Sequence, residues 1–145
     1  MKNIRIKHNY FKNIKLALLA ILFLILTGCA SSSFDLTVQP DKLTNNGQPF
    51  YVIVKDEPMF SYLDSSINSV YESYLKSDDK HNSFLIYPNK GKQSISIQKS
   101  KKDGVSVYFL FQKKPSVGDW KFYINSDSQK DKTINITKNN LVEVS

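Results

Sequence analysis

Cysteine and tryptophan each occur once among the 145 residues, histidine twice, and glycine and proline five times each. The one histidine downstream of the cysteine, His81, sits among Asp78, Asp79 and Lys80 and has too few companions for a zinc site of three or four N/S ligands. No serine stands in a Gly-x-Ser-x-Gly elbow, and the five glycines form no phosphate-cradling loop. The acidic pairs Asp56-Glu57 and Asp78-Asp79 adjoin turns, and neighbours on a strand point apart, so neither forms a facing pair for glycosidic chemistry. The reading is of a protein that is not an enzyme and that takes no cofactor, no metal and no small-molecule substrate.

Acidic residues are missing from the first part of the chain. Lys2, Arg5, Lys7, Lys12 and Lys15 precede the cysteine without a counter-charge, whereas all thirteen Asp and Glu residues follow it. The net charge of +7 therefore shrinks to +2 for the part after Gly28, where fifteen basic residues face thirteen acidic ones. That balance excludes nucleic acid as the partner. A long apolar run is missing too: Leu16–Leu26 is 11 residues, short of the roughly 20 that span a bilayer.

What is there is an export signal. A basic start, the apolar run, and Leu26-Thr27-Gly28-Cys29 followed by Ala30-Ser31-Ser32-Ser33 have its layout. Leu26-Thr27-Gly28-Cys29 resembles the bacterial lipobox, whose cysteine carries diacylglycerol and, after cleavage, an N-linked acyl chain such as palmitate. The expected organisation is a signal peptide over 1–28, a lipidated N-terminus and tether over 29–34 anchored through Cys29, and one domain over 35–145. With Cys29 committed to lipid, no thiol remains for a disulfide, and the domain must hold by packing alone.

The domain reads as mainly β. Phe34–Gln39 alternates apolar and polar residues, the period of a half-buried strand. Pro40 to Pro49 has turn chemistry throughout. Phe50–Lys55 is apolar on nearly every residue, as a strand covered on both faces would be. Leu63, Ile67, Val70, Tyr71, Tyr74 and Leu75 then fall on one face of an amphipathic helix over Ser61–Lys76. Strands follow at Phe84–Tyr87, Gln93–Lys99, Val105–Gln112, Trp120–Asn125, Lys132–Thr137 and Leu141–Val144, with a hairpin signal at Lys101-Lys102-Asp103-Gly104. Seven or eight short strands with one inserted helix predict a β-sandwich. The alternation of Phe109, Phe111, Trp120 and Phe122 places all four in its core, with Trp120 and Phe111 inward on adjacent strands and Lys121 outward. The lysine clusters Lys90/Lys92, Lys99/Lys101/Lys102 and Lys113/Lys114 read as solvated edge and turn residues.

In order and pattern, Leu36–Val38, the Asn- and Gly-containing stretch Pro40–Pro49, the apolar strand Phe50–Lys55, the aromatic strand Val107–Gln112 and Trp120-Lys121 resemble the TssJ family, the outer-membrane lipoproteins of bacterial type VI secretion systems. Gln112 and Lys121 stand where that family has arginine. The resemblance implies a transthyretin-like β-sandwich, tethered to the outer membrane and facing the periplasm. It further implies a partner, the periplasmic region of a TssM-like inner-membrane protein, bound through the loop between the first two strands: Asp41, Lys42, Leu43, Thr44, Asn45, Asn46 and Gly47. That loop is expected to project from the end of the sandwich with few buried contacts. The rival reading is a lipid-anchored sandwich that binds a soluble periplasmic ligand such as cell-wall glycan or a lysozyme.

Overall fold

The computed structural model describes residues 33–76, 82–100, 102–113 and 120–145. The signal segment, Cys29, the turn holding His81, and Lys101 and Lys114 lie outside the described residues.

Strand β1 (Ser33–Pro40) begins two residues earlier than the expected domain boundary, so Ser33 and Phe34 belong to the sheet. It buries Phe34, Leu36 and Val38, with Asp35 exposed and Thr37 half-buried between them, as the alternation of a strand predicts. The other strands are β2 (Phe50–Glu57), β3 (Ser83–Ile86), β4 (Gln93–Gln98), β5 (Gly104–Leu110), β6 (Lys121–Ile124), β7 (Lys132–Ile136) and β8 (Val142–Val144). They form two four-stranded sheets in the orders β4-β1-β7-β8 and β3-β2-β5-β6. All pairings are antiparallel except β1 with β7. The expected sandwich is therefore present, with eight strands among the described residues.

The two sheets close on a core of Phe34, Leu36, Val38, Phe50, Val52, Val54, Ile86, Ile95, Ile97, Val105, Val107, Phe109, Phe111, Ile124, Ile134 and Ile136. Each fully buried large side chain contributes about 1.5–3 kcal/mol, so a fold without disulfides has ample support. β5 is buried at every residue. Its odd positions enter this core, while Tyr108 and Leu110 join a second cluster with Ile53 and Val70 on the opposite face.

That second face is covered by the inserted helical segment, which is two helices where the sequence predicts one. Helix α1 spans Met59–Asp64 and α2 spans Ile67–Lys76. The break falls at Ser65-Ser66 because Ser66 and Ser69 cap each other: the Ser69 N–H donates to Ser66 Oγ (3.1 Å) and the Ser66 N–H to Ser69 Oγ (2.9 Å). This is a reciprocal N-terminal box with serine in the place of the usual Glu, and it starts a new helix inside an apolar period that runs on unchanged. The break also rotates the apolar face. Val70 is buried, but Leu63, Tyr71 and Leu75, expected inward, are exposed.

A second difference concerns Lys102-Asp103-Gly104, which does not close a hairpin. β4 and β5 belong to different sheets, so the chain passes from one sheet to the other between Gln98 and Gly104, an arch of which Lys99, Ser100, Lys102 and Asp103 are described. Gly104 is demanded by crowding at the end of the arch. Its N–H donates to the Tyr123 hydroxyl (2.9 Å), and a Cβ there would overlap the Tyr123 ring and the Ile124 carbonyl.

Strand pairing sorts the connections into two ends. Ser33 pairs with Gln98 and Glu57 with Gly104, which brings the start of β1, the two feet of the arch between β4 and β5, and the start of α1 together at what we call the tether end. At the other, distal end, Pro40 pairs with Ile136 and Phe50 with Ile86, and the loop joining β1 to β2 lies there.

Candidate functional site

The distal loop is built in two layers. Asp41 starts it: its N–H donates to the Ile136 carbonyl (2.8 Å) and its carboxylate accepts the Leu43 N–H (2.8 Å), an Asx turn that sets Leu43 outward. Thr44 and Asn45 then dip inward and are almost fully buried. The Thr44 hydroxyl lies 3.0 Å from the Ile136 carbonyl and 3.1 Å from that of Thr137. The Asn45 amide donates to the carbonyls of Gln48 (3.1 Å) and Pro49 (2.9 Å), its Oδ1 accepts the Gln112 N–H (2.8 Å), and its own N–H donates to Asn140 Oδ1 (2.7 Å). Asn45, Asn46 and Gly47 all have positive φ, 52°, 58° and 75°, the left-handed region that Asn and Gly tolerate best. These bonds knit the loop to β7, to the turn before β8 and to the chain leaving β5.

The geometry divides the seven sequence-predicted residues. Asp41, Lys42, Leu43 and Asn46 face solvent, Leu43 with 62% of its surface exposed, and Gly47 is half-buried. Thr44 and Asn45 do not project: they are fasteners, contrary to the expectation of a tip with few buried contacts. The physical reason is the left-handed turn, whose inward-facing backbone groups have no sheet partner and take side-chain amide and hydroxyl partners in its place. The Asn-Asn-Gly run carries the sequence signal for the turn. The roles of Asn140 and Gln112 as partners have no signal at all, because they come from 95 and 67 residues away. Beside the loop, a shallow cleft of about 420 Å³ opens among Pro49, Tyr51, Ile67, Tyr71 and Gln112.

Lys121, expected to point into solvent, caps α1. Its ammonium donates to the carbonyls of Tyr62 (2.6 Å) and Ser65 (2.9 Å) and to Ser65 Oγ (3.1 Å), and it lies 4.5 Å from the centre of the Tyr62 ring. A cation there satisfies carbonyls that the helix leaves unpaired and complements its dipole. Burial holds the Lys121 pKa below the usual lysine value, against the opposing pull of Glu57 and Asp64. Trp120 is misplaced by the sequence reading as well. Strand pairing begins only at Lys121, so the alternation does not extend back to Trp120, which packs against Tyr108 (5.6 Å between ring centres, the rings tilted by 31°) under the helices while Phe111 enters the sandwich core. Phe109 and Phe122 lie in or against the sandwich core as expected. The buried Tyr108 hydroxyl donates to the Glu57 carboxylate, and burial followed by that bond pushes its pKa up to about 12.

Two four-stranded sheets, a helical layer on one of them and a loop fastened at the distal end make up the described fold. Over residues 51–136 the sequence matches the IglE N-terminal domain family. The chain belongs to that family. Among solved structures it is similar to Serratia marcescens Lip, a membrane-bound component of the type VI secretion system, at a TM-score of 0.61 and 13% identity, covering 80% of this chain and 97% of that one. It is likewise similar to the type VI lipoprotein TssJ1 from Pseudomonas aeruginosa, at 0.58 and 9%, covering 79% and 95%. A chain in the structure of the T6SS protein TssM C-terminal domain (869-1107) from EAEC gives 0.60 and 9%, covering 78% and 97%. At such identities the likeness is one of fold, and it bears out the TssJ-type sandwich that the sequence predicts. No curated protein matches the sequence.

Proposed function

We propose that this protein is a lipoprotein of a type VI secretion membrane complex, anchored through Cys29 in the outer membrane, facing the periplasm, and binding the periplasmic region of a TssM-like inner-membrane protein through the exposed layer of its distal loop. The observation that carries this reading is polarity. The chain enters the fold at Ser33, and Asp41, Lys42, Leu43 and Asn46 are displayed at the opposite end of the sandwich on a base fixed by Thr44 and Asn45. A tethered scaffold that must reach a partner across a gap needs this separation of anchor and contact. The fold neighbours, described as a membrane-bound component and a lipoprotein of type VI secretion systems, favour the same role. The role is structural, and no catalytic step is assigned to it. The ligand-binding rival is disfavoured because Phe109, Phe111 and Phe122 pack inside the sandwich and Trp120 packs on Tyr108, leaving none of the four as a stacking platform.

The displayed layer is small, so the contact falls short of the roughly 1,600 Å² of a standard interface and micromolar affinity is expected. Titration calorimetry of the detergent-solubilised protein against the periplasmic region of the TssM-like protein tests it. Saturable heat supports the reading, and its absence overturns it.

A further inference from the structure

The outer surface of α1 plays no part in the reading so far. Met59 is 44% exposed, Phe60 81% and Leu63 60%. Residues three and four apart on a helix are neighbours, so the three side chains make one apolar stripe. Tyr62, between them, packs the other way, its ring 5.4 Å from that of Tyr123. Six residues of helix are thus fixed with an apolar face outward.

The stripe lies at the tether end. β2 finishes at Glu57, opposite Gly104, and after Pro58 the chain turns directly into Met59 and Phe60. β1 starts at Ser33, opposite Gln98, at the other foot of the same arch. Four residue steps separate Cys29 from Ser33, and an extended chain covers about 3.3–3.6 Å per residue. A lipid on Cys29 therefore holds this end of the domain within about 14 Å of the bilayer.

We propose that the tether end docks onto the membrane that holds the anchor, with Phe60 and Met59 entering the interfacial layer and Leu63 lying along it. The proposal rests on lipidation of Cys29. Aromatic and apolar side chains on one face of a short helix settle at the headgroup level, and the tether makes the contact intramolecular, so that a patch too weak to bind by itself still engages. The described charges at this end form no basic patch: Lys99, Lys102 and Lys130 are exposed beside exposed Asp35, Asp56, Asp64, Asp127 and Asp131. The contact is accordingly apolar and does not weaken as salt rises, unlike that of a polybasic patch. Docking in this way also turns the distal loop away from the bilayer.

The test uses the full lipidated chain in vesicles of phosphatidylethanolamine and phosphatidylglycerol. Its native thiol is occupied by lipid, so Ser61→Cys, next to Phe60 and exposed, accepts a single environment-sensitive fluorophore. The expected result is a blue-shifted emission quenched by nitroxide-bearing lipids at low and high salt alike, no quenching of the same fluorophore at Leu43→Cys, and loss of the Ser61→Cys quenching when Phe60→Ser is added. Phe60 is too exposed for that change to unfold the domain. A probe at position 61 that stays in water on protein that floats with the vesicles overturns the docking and leaves the anchor standing. Quenching that disappears at high salt, or that survives Phe60→Ser, overturns the apolar contact. Protein that fails to float overturns the anchor first and the docking with it.

Discussion

Asn45 Oδ1 accepts the backbone N–H of Gln112 at 2.8 Å, joining the loop after β1 to the chain leaving β5 across 67 residues. Through the same side chain the loop holds its own far end, at Gln48 and Pro49. Asn45→Ala would strand one donor and two acceptors and keep a residue with φ of 52° in the left-handed region. The expected cost is about 2–4 kcal/mol, read as a lower urea midpoint of the detergent-solubilised chain. Asn46→Gly, at φ 58° but exposed, should be neutral or stabilising. Equal effects of the two would contradict the division of the loop into fastened and displayed layers.

Lys121 gives a prediction opposite to that of a solvated lysine. Lys121→Ala should fray α1 and cost about 1–2 kcal/mol, the range for a charge-assisted hydrogen bond reduced for partial exposure. Phe109→Ala, in the sandwich core, should cost about 3–5 kcal/mol, and Trp120→Ala less than that because Trp120 is only partly buried. Urea midpoints in the order Phe109→Ala, then Trp120→Ala, below wild type are expected.

Tyr108 makes stability depend on alkaline pH. Its hydroxyl pKa stands at about 12 in the fold against the ordinary 10.0, so between those values the folded state holds a proton that the unfolded chain releases. A raised folded pKa gives stability that is complete below pH 10 and is lost as pH climbs toward 12. Two units correspond to about 2–3 kcal/mol. Tyr74, raised chiefly by its hydrogen bond with Tyr51, acts in the same sense, whereas Lys121, lowered, acts in the opposite one. Tyr108→Phe should flatten the loss between pH 10 and 12, measured by thermal melts across that interval.

The strands were legible in the sequence because each buries one or both faces against a single core, which writes period two or a continuous apolar run into Phe34–Gln39, Phe50–Lys55 and Val105–Gln112. Three features were not. The break at Ser65-Ser66 leaves the apolar period intact, and its cause, the Ser66 and Ser69 box, uses serine where the usual motif has Glu or Gln. Alternation gave the wrong face for Trp120, since period two holds only within a paired strand. In the loop, turn chemistry pointed to Asn45-Asn46-Gly47 but not to which asparagine faces inward, because the partners, Gln112 and Asn140, are brought there by the folding of both sheets.

Cys29 carries the proposed anchor. Cys29→Ser should block lipid attachment and cleavage after Gly28, leaving a precursor longer by the signal segment, whereas the wild type should remain with membranes at high salt because three acyl chains exceed the two signals that stable anchoring requires. Mass spectrometry of the N-terminus separates the outcomes. A processed N-terminus in the variant contradicts the anchor.

Leu43 is the residue on which partner binding should turn. It is the large apolar side chain of the displayed layer, 62% exposed, and the Asp41 carboxylate fixes its backbone, so little ordering remains to be done when it enters a pocket on the partner. Binding energy concentrates in such pre-set apolar anchors, while flanking polar residues contribute complementarity. Leu43→Ser should weaken binding to the TssM-like periplasmic region by about 1–3 kcal/mol, roughly 5-fold to 150-fold, with an unchanged urea midpoint because the side chain touches solvent on both sides of the comparison. Lys42→Ala should cost less, as a solvated cation at a rim does. Asn45→Ala should lose binding and stability together, since it frees the base of the loop. Calorimetric titration of the three variants beside their urea midpoints distinguishes these outcomes. Wild-type affinity in a folded Leu43→Ser protein would move the contact off this loop.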